Sequence, residues 1–570
     1  MIVRRILQTT LSLMLAFSLA ACTGASPATS SPTGTTAAAA TDSAAAAVSE
    51  GSAAASADPL APYAEPVTIT WAVQTAAASK LLDGDTWEDN RWSRLIKEKL
   101  NIDLQIAFTA DSSTEAYKTK LNAVIASGDL PDIFKTQDMN VFTGLVSSGS
   151  LADLTQAREQ WQSPDTKAFL DEYREAIDGA TFEGKLMAIP RANDNFHEAP
   201  LLWIRSDWLE NTGMQPPKTV EEMVALAEVF ATGDPDNNGV MGDTVGLALN
   251  KDLIRQNHAS ILGLVSAFGV PARDESQFYR DKQGKMTFAW IQPEVKPALS
   301  LLARMYKDGL INRDFTVKNE SALVEDITNG KIGMAYGSNW GLWYPYNNVY
   351  KKDGDLVLPY AIPTAPGYDY KVGVESNATG QMTCVSATCA YPEAAIRILN
   401  LYLETINNDA DTFNQYWSDE QYRLCPVYTD VASENWFRGI WKVLKGEADA
   451  STLAPGAVPN YKNILGFEDG SMKNDDNALG LWGQMSAKGS LPIIVDRYEP
   501  DGAMVVSLLG MQRPEIWTQN VSILDTLTIT AFTDIITGVK PVDAFDTFVA
   551  DWLANGGSQT LAEMEALYPN

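Results

Sequence analysis

The sequence contains few of the residues on which most catalytic and metal centres depend. Only two histidines, His197 and His258, occur among 570 residues, and there are four cysteines. A zinc site or a Ser-His-Asp triad therefore has little raw material in this chain. After the N-terminal apolar stretch no run approaches the roughly 18 consecutive apolar residues of a membrane-spanning helix. We therefore expect no later membrane span.

Basic residues are also scarce relative to acidic ones. The chain has 43 Lys and Arg against 72 Asp and Glu, which gives a formal net charge of −29 and a pI near 4.4. Such a surface repels the phosphates of nucleic acid, so we expect no nucleic-acid partner. The composition is instead typical of a solvated extracellular surface.

The N-terminus has the construction of a bacterial export signal. Arg4 and Arg5 precede the apolar stretch 6–18, and Leu19-Ala20-Ala21-Cys22 matches a lipobox. This predicts a lipoprotein signal peptide over 1–21, with diacylglycerol attached to the thiol of Cys22. We therefore expect the protein on the extracellular face of a Gram-positive cell membrane, held by its acyl chains. An ordinary signal peptide with a chance cysteine is the alternative interpretation.

The next segment cannot form a core. Residues 22–62 are almost entirely Ala, Ser, Thr, Gly and Pro after the cysteine, a composition that predicts a disordered tether. About 510 residues remain, enough for two well-packed domains. Cys384 and Cys389 are close enough in sequence to form a disulfide, but buried free thiols are an equal alternative.

Short β patterns alternate with amphipathic helical patterns in the rest of the chain, which predicts an α/β protein. Val67, Ile69, Trp71 and Val73 alternate with other residues as a first strand. The apolar spacing over 114–127 predicts a helix, with Gly128 as its C-cap. Thr219 and Glu222 form the signature of a capping box at the start of another helix.

Four segments, in their order and spacing, resemble extracellular solute-binding proteins of the large sugar-binding family, especially its LipO-like lipoprotein branch. The segments are Lys120–Ile133, Gly184–Pro190 with Leu202–Leu209 behind it, Gly330–Ala335 with Trp340 behind it, and Pro392–Ala395. Each segment alone is weakly diagnostic, but together they extend the resemblance from about residue 66 to residue 570.

The resemblance implies a two-lobed periplasmic-binding-protein-like fold of the maltodextrin-binding type. Its lobes are expected at 63–192 with 373–500, and at 193–372 with 501–570, joined by a hinge. The implied function is the capture of an oligosaccharide in the cleft between the lobes and its delivery to the permease subunits of an ABC importer. The resemblance also implies a monomer without enzymatic activity.

One loop has the spacing of a calcium site. Asp234, Asp236 and Asn238 occupy the first, third and fifth positions of an EF-hand-like loop, and Val240 can offer its carbonyl. In related binding proteins this stretch is a structural calcium site. The acidic residue expected at position nine appears one place later, as Asp243, and no glutamate stands at position twelve. A turn rich in Asx residues is the alternative.

Ligand-binding residues are expected where strands end at the cleft, since aromatic rings stack on sugar faces and polar groups bind hydroxyls. Trp71 and Gln74 end the first strand, and Gln137 follows the strand 132–134. The crossing between lobes, and the resemblance to sugar binders, add the remaining candidates, which are Asn193, Asp194, Trp340, Trp343, Trp482 and Trp517.

Two other functions stay open at the level of sequence. A sensor subunit or adhesin could use the same fold to bind glycans without transport. A polysaccharide-degrading enzyme would need two carboxylates about 5–10 Å apart across a sugar, and the acidic residues of this chain could include such a pair. No recognisable catalytic motif supports the enzyme.

Overall fold

A computed structural model describes residues 58–75, 81–111, 115–192, 199–255, 257–274, 276–375, 378–429, 433–510 and 513–569. The predicted signal peptide, Cys22, most of the tether, and the candidate site residues Asn193 and Asp194 lie outside the described residues. None of the helices in the described ranges combines the length and apolar composition that a bilayer crossing requires.

The strands are short and are distributed along the chain between helices. They are β1 (Val67–Thr75), β2 (Ile102–Asp111), β3 (Ile133–Thr136), β4 (Thr181–Phe182), β5 (Lys185–Leu186), β6 (Ala188–Ala192), β7 (Leu201–Arg205), β8 (Val245–Leu247), β9 (Phe278–Arg280), β10 (Met286–Phe288), β11 (Ile332–Gly337), β12 (Val357–Tyr360), β13 (Val372–Val374), β14 (Ala378–Val385) and β15 (Met504–Val506).

Helices make up most of the remaining structure. The α-helices are α1 (Arg91–Leu100), α2 (Ala116–Ser127), α3 (Met139–Ser147), α4 (Thr155–Trp161), α5 (Pro164–Glu172), α6 (Arg174–Gly179), α7 (Ser206–Thr212), α8 (Val220–Thr232), α9 (Leu262–Ala267), α10 (Val295–Lys307), α11 (Glu320–Thr328), α12 (Asn347–Asp353), α13 (Ala394–Ile406), α14 (Ala410–Tyr416), α15 (Ser433–Leu444), α16 (Ala457–Glu468), α17 (Asp476–Met485), α18 (Ser490–Ile493), α19 (Glu515–Ile536), α20 (Ala544–Trp552) and α21 (Ser558–Leu567).

The first sheet has the strand order β2-β1-β3-β14-β6. Strand β1 runs parallel to β2 and β3, whereas β14 is antiparallel to both β3 and β6. Alternate residues of the first half of β1 are buried, as the period of two in the sequence predicts. The Asp132 carboxylate, just before β3, accepts hydrogen bonds from the backbone and hydroxyl of Thr70, which fixes β3 beside β1.

The second sheet has the strand order β12-β7-β11-β8. Strand β7 is antiparallel to β11 and β12, and β8 is parallel to β11. Arg205, at the end of β7, pairs with Asp207 at 2.5 Å and with Asp355 at 3.0 Å, so this buried guanidinium braces the sheet. The mixture of helices with two partly parallel sheets confirms the predicted α/β class.

Helix termini follow the sequence signals closely. The Thr219 hydroxyl accepts from the Glu222 amide at 3.2 Å while Glu222 reaches back, so the predicted capping box forms at the start of α8. Helix α2 ends at Gly128, whose φ of 78° lies in the left-handed region that glycine adopts without strain. These local signals act through neighbouring residues only, so sequence alone identifies them.

The chain passes between the two sheets near the predicted crossing. Strand β6 ends in the first sheet at Ala192, and β7 begins in the second sheet at Leu201. The predicted boundary at residue 500 is less simple, because α17 packs against α12 and α18 packs against β12. The Tyr498 hydroxyl also donates to the carbonyl of Pro200. Much of 476–498 therefore contacts elements of the second lobe, and the exact boundary stays a prediction.

Cysteines form no cross-link in the described part of the chain. Cys384, Cys389 and Cys425 are all free and buried. Burial raises the pKa of the Cys389 and Cys425 thiols to about 12, so they stay protonated and unreactive at neutral pH. Of the two alternatives for Cys384 and Cys389, the structure shows buried free thiols.

Candidate ligand-binding cleft

A cavity of about 640 Å³ lies at the carboxyl ends of β1 and β3. One wall comes from the first lobe, namely the ends of these strands with α2 and the start of α3. The opposite wall comes from the start of α19 and from Arg273, Asp274, Ser276, Ser507, Leu509 and Gly510. Pockets that hold small ligands usually enclose about 300–1,000 Å³ and lie at such strand ends. The cavity, called the cleft below, is therefore the candidate binding site.

The first-lobe wall is polar. Gln74 is the second-last residue of β1, and Gln137 directly follows β3. The side-chain amide of Gln381 lies 3.5 Å from Gln74 Oε1. Lys118 pairs with Asp138 at 3.1 Å, which ties α2 to the start of α3. Burial opposes ionisation of Asp138, but this contact and two backbone amides outweigh it and lower its pKa. Both side chains are therefore charged at neutral pH.

The second-lobe wall has a buried cation at its centre. Arg273 donates to Ser276 Oγ at 2.9 Å and pairs with Asp274 at 3.0 Å and Glu375 at 3.2 Å. Glu375 lies between β13 and β14, where the chain returns to the first sheet. Arg273 therefore links the wall of the cleft to a segment that connects the two lobes.

Trp517, in the first turn of α19, completes this wall. Its ring is 2% exposed and makes edge contacts with Phe278 at 5.0 Å, between ring centroids. Phe288 lies 5.8 Å away and stacks in turn on Trp552. The ring is therefore held by aromatic neighbours and leaves little of its surface exposed at the cleft.

The structure brings together Gln74, Gln137 and Trp517 among the predicted ligand residues. Trp71 is 3% exposed and belongs to the core of the first lobe, because its position in β1 points inward, unlike that of Gln74. Contact of Gln74, Gln137 and Trp517 with a ligand stays a prediction.

Three predicted tryptophans do not line the cleft. Trp340 makes an edge contact with His258 at 4.6 Å between ring centroids. Trp343 donates to Gln484 Oε1 at 3.0 Å, which attaches α17 to the turn after β11. Trp482 is buried against Phe467. Trp343 and Trp482 therefore pack against other parts of the protein. The sequence did not distinguish such a tryptophan from one that stacks on a sugar, because both roles need an apolar ring.

Sequence reasoning missed most of the charged residues of the cleft. Glu115, Lys118, Asp138, Arg273 and Glu375 all line it. None belongs to a recognisable motif, and only the folding of distant segments brings them together. Arg513 also lines the cleft and makes no ion pair with any residue in the described ranges.

A buried lysine lies behind the first-lobe wall. Lys135, in β3, is 3% exposed, and its Nζ atom lies 4.0 Å from the centroid of the Tyr428 ring. The Cys425 carbonyl lies 3.5 Å from the same atom. Burial, with smaller contributions from Arg191 and Arg423, lowers the pKa of Lys135 to about 7. This side chain therefore changes charge near neutral pH.

The predicted calcium loop is compact. The backbone amides of Asn238 and Gly239 donate to the Asp234 carboxylate at 2.9 and 3.0 Å. The Asn238 side-chain amide donates to Asp236 and Asp243, each at 3.0 Å. One oxygen of Asp236 is buried without a hydrogen-bond partner, and burial, then Asp234 and Asp243, raises the pKa of Asp236. The loop thus brings negatively charged carboxylates close together.

These donors fit a hard cation. All are oxygen atoms, and bound Ca²⁺ would compensate both the orphaned Asp236 oxygen and the repulsion between carboxylates. In the described ranges, no group of three His, Cys, Asp or Glu side chains is already arranged around a metal position. In this loop, the Asn238 side-chain amide donates to both Asp236 and Asp243. Coordination would thus require this amide to present its oxygen.

The sequence of this chain matches a known protein family. Residues 89–408, more than half of the chain, match the family model described as bacterial extracellular solute-binding protein. The chain belongs to this family. The predicted family is thereby confirmed, and two curated relatives of this solute-binding protein are named as binding proteins.

Curated relatives are distant in sequence. The solute-binding protein is 29% identical over 251 residues to the polygalacturonan/rhamnogalacturonan-binding protein YtcQ of Bacillus subtilis, covering 43% of this chain and 45% of YtcQ. It is 22% identical over 471 residues to lipoprotein LipO of the same species, covering 82% and 86%. The chain thus spans less than half of YtcQ but most of LipO.

Solved structures share the fold at low identity. The FusA substrate-binding protein of S. pneumoniae in complex with kestose has a TM-score of 0.57 at 16% identity, covering 88% of this chain and 98% of that chain. The alginate-binding protein AlgQ2, without calcium ion, gives 0.56 at 16% identity, covering 90% and 100%. These similarities confirm the predicted two-lobed architecture.

Proposed function

We propose that this solute-binding protein captures an oligosaccharide in the cleft and delivers it to the permease subunits of an ABC importer. The observation that carries the proposal is the cleft itself. It has a volume of about 640 Å³, and carboxamides and charged groups line its two opposite walls. Such groups bind sugar hydroxyls, and contact with both lobes allows a ligand to favour a closed form.

The relatives support the sugar as ligand class. YtcQ is described as a polygalacturonan/rhamnogalacturonan-binding protein, and a third relative as a fructooligosaccharide ABC transporter substrate-binding protein. Several curated and structural relatives are named for carbohydrates that differ from one another. We therefore infer that members of the family share carbohydrate as their class of ligand. Which sugar each protein binds then depends on the side chains that line its cleft.

Ligand binding should close the lobes and should depend on Gln137. Small-angle scattering is expected to show a smaller radius of gyration with a bound oligosaccharide, because only a ligand touching both walls shifts the equilibrium. Calorimetry should show about two- to tenfold weaker binding for Gln137→Ala, the loss of one hydrogen bond. Gln105→Ala, at an exposed position in β2, is the matched control. Tight binding without compaction would contradict the closure mechanism.

A polysaccharide-degrading enzyme is the less supported alternative, because the family and two of its curated relatives are named as binding proteins. Release of new reducing ends from glycans incubated with the purified chain would favour it. A sensor or adhesin role would be favoured by normal sugar uptake in a strain that lacks the protein.

We further propose that Cys22 anchors the protein, as a monomer, to the outer face of the cell membrane. The lipobox supports this, and so does the similarity to lipoprotein LipO. The variant Cys22→Ala should lose fatty-acid labelling and appear in the medium. Equal labelling of variant and wild type would contradict the anchor.

Calcium binding at Asp234, Asp236, Asn238, Val240 and Asp243 is proposed as a structural feature of the second lobe. The convergent carboxylates support it, as do two related solved structures, FusA with a mutated EF-hand and AlgQ2 without calcium ion. The ion would offset most of the negative charge in the loop between α8 and β8. None of these loop residues lines the cleft, so the ion is not expected to touch ligand.

Removing calcium should destabilise the protein. A ligand present at a hundredfold excess over its Kd adds about 2.7 kcal/mol to the free energy of unfolding. A chelator should therefore lower the melting temperature of wild type, and Asp234→Ala should melt at this lower temperature with or without chelator. Asp281→Ala, in a turn outside the loop, should keep the response. A wild-type melting curve that ignores chelator would show that the loop is a plain turn.

A further inference from the structure

A second cavity, of about 610 Å³, lies between α2 and α3 on the first lobe. It is called the α2–α3 groove below. Asn122, Asn140 and Val141 line both this groove and the cleft. The two cavities therefore adjoin at these residues, and the groove extends from there along the first lobe to residues 386–388.

The lining of the groove differs in charge from that of the cleft. None of the described side chains that line it is charged, although the whole chain carries a net charge of −29. An apolar strip of Ile125, Leu130 and Leu145 is bordered by amides and hydroxyls. At the far end, the hydroxyls of Ser148 and Ser150 and those of Ser386 and Thr388 lie 2.8 Å apart in each pair.

This combination suits a sugar chain. Sugars present apolar C–H faces together with a rim of hydroxyls, which an apolar strip with a polar border can bind. A partner protein with a strongly charged surface would find no complementary charge in the groove. Electrostatic complementarity would therefore not favour its binding there. The position beside the cleft decides the occupant, because a sugar chain that leaves the cleft past the shared residues Asn122 and Asn140 next meets the groove.

We propose that the α2–α3 groove is an extension of the ligand site, which binds uncharged outer residues of an oligosaccharide whose inner part lies in the cleft. The protein would thereby prefer long chains to short ones. This inference rests on the proposed function, since it needs a glycan in the cleft. It assigns a separate set of residues to chain-length selection.

Gly144 offers a way to fill the groove without touching the cleft. It is an exposed residue of α3 that lines the groove, and a Cβ added there meets no atom within 4 Å. A side chain at this position therefore occupies open groove space and leaves the packing of α3 unchanged. Ser148, one turn later and also exposed, provides a second position.

The test is calorimetric titration with ladders of the uncharged fructo-, xylo- and manno-oligosaccharides, from trisaccharide to octasaccharide. Wild type should bind the octasaccharide of its preferred ladder at least about tenfold more tightly than the trisaccharide, a difference of 1.4 kcal/mol. Gly144→Phe and Ser148→Phe should each remove most of this difference and leave trisaccharide affinity unchanged. Gly144→Ala, which leaves the groove open, should behave as wild type.

Other outcomes separate this inference from the proposed function. Equal affinity for short and long chains, or a length preference that survives both phenylalanine variants, would overturn the groove while leaving the cleft as the binding site. Loss of trisaccharide binding in both variants would also overturn it, because the groove would then not be separable from the cleft. Failure of wild type to bind any ladder would count against the proposed function and the groove together.

Discussion

Replacing Trp517 by alanine is expected to lower the free energy of unfolding by about 3–5 kcal/mol, the usual loss for a buried tryptophan. The ring is 2% exposed and packs between Phe278 and Phe288, so its removal leaves a cavity beneath the second-lobe wall of the cleft. Urea denaturation monitored by circular dichroism would measure the change.

Two variants make this result specific. Trp517→Phe keeps a ring against Phe278 and should lose less than half as much stability. Trp87→Ala removes a tryptophan that is only half-buried, and should also cost less. If Trp517→Ala proved as stable as wild type, the position of α19 against β9 and β10 would be wrong, and with it the second-lobe wall.

Replacing Lys135 by methionine is expected to stabilise the protein at pH 7 and to do so less at pH 9. The folded-state pKa is about 7, whereas an unfolded lysine titrates near 10.4, so between these values the unfolded chain binds the extra proton. Wild-type stability therefore gains from rising pH at this site. From pH 7 to pH 9 the advantage of Lys135→Met should shrink by about 2 kcal/mol.

The comparison must be between variant and wild type at each pH. The buried thiols of Cys384 and Cys425 have raised pKa values, so their ionisation in the unfolded chain opposes the lysine effect above pH 8 in both proteins. Their contribution cancels in the difference. Lys120→Met, which replaces an exposed lysine 5.9 Å from the Phe108 ring centroid, is the control variant. A stability difference between Lys135→Met and wild type that stayed the same from pH 7 to pH 9 would show that Lys135 is solvated.

Local sequence signals predicted much of the fold. The alternation over 67–73 became β1, the spacing over 114–127 became α2, and Thr219 with Glu222 capped α8. Each depends on contacts within a few residues, which a local pattern records. The strand-end glutamines Gln74 and Gln137 were found in the same way, because a strand's direction fixes where its last residues lie.

The aromatic candidates show the limit of this reasoning. Trp71 lies on an inward-facing position of β1, and Trp343 and Trp482 attach or support α17. A tryptophan that packs and one that stacks on a sugar have the same local pattern, because both need an apolar ring beside polar neighbours. Only the position of the partner segments distinguishes them.

The sequence by itself determined the α/β class, the family, the helix caps and the spacing of the acidic loop, since these depend on residues close together in the chain. Tertiary structure alone decided the charged lining of the cleft, where Lys118 and Asp138 face Arg273 and Glu375. It also decided the burial of Lys135 and the position of the α2–α3 groove beside the cleft. Charge, burial and cavity depend on which distant segments meet, and that meeting is set by the packing of whole helices and sheets.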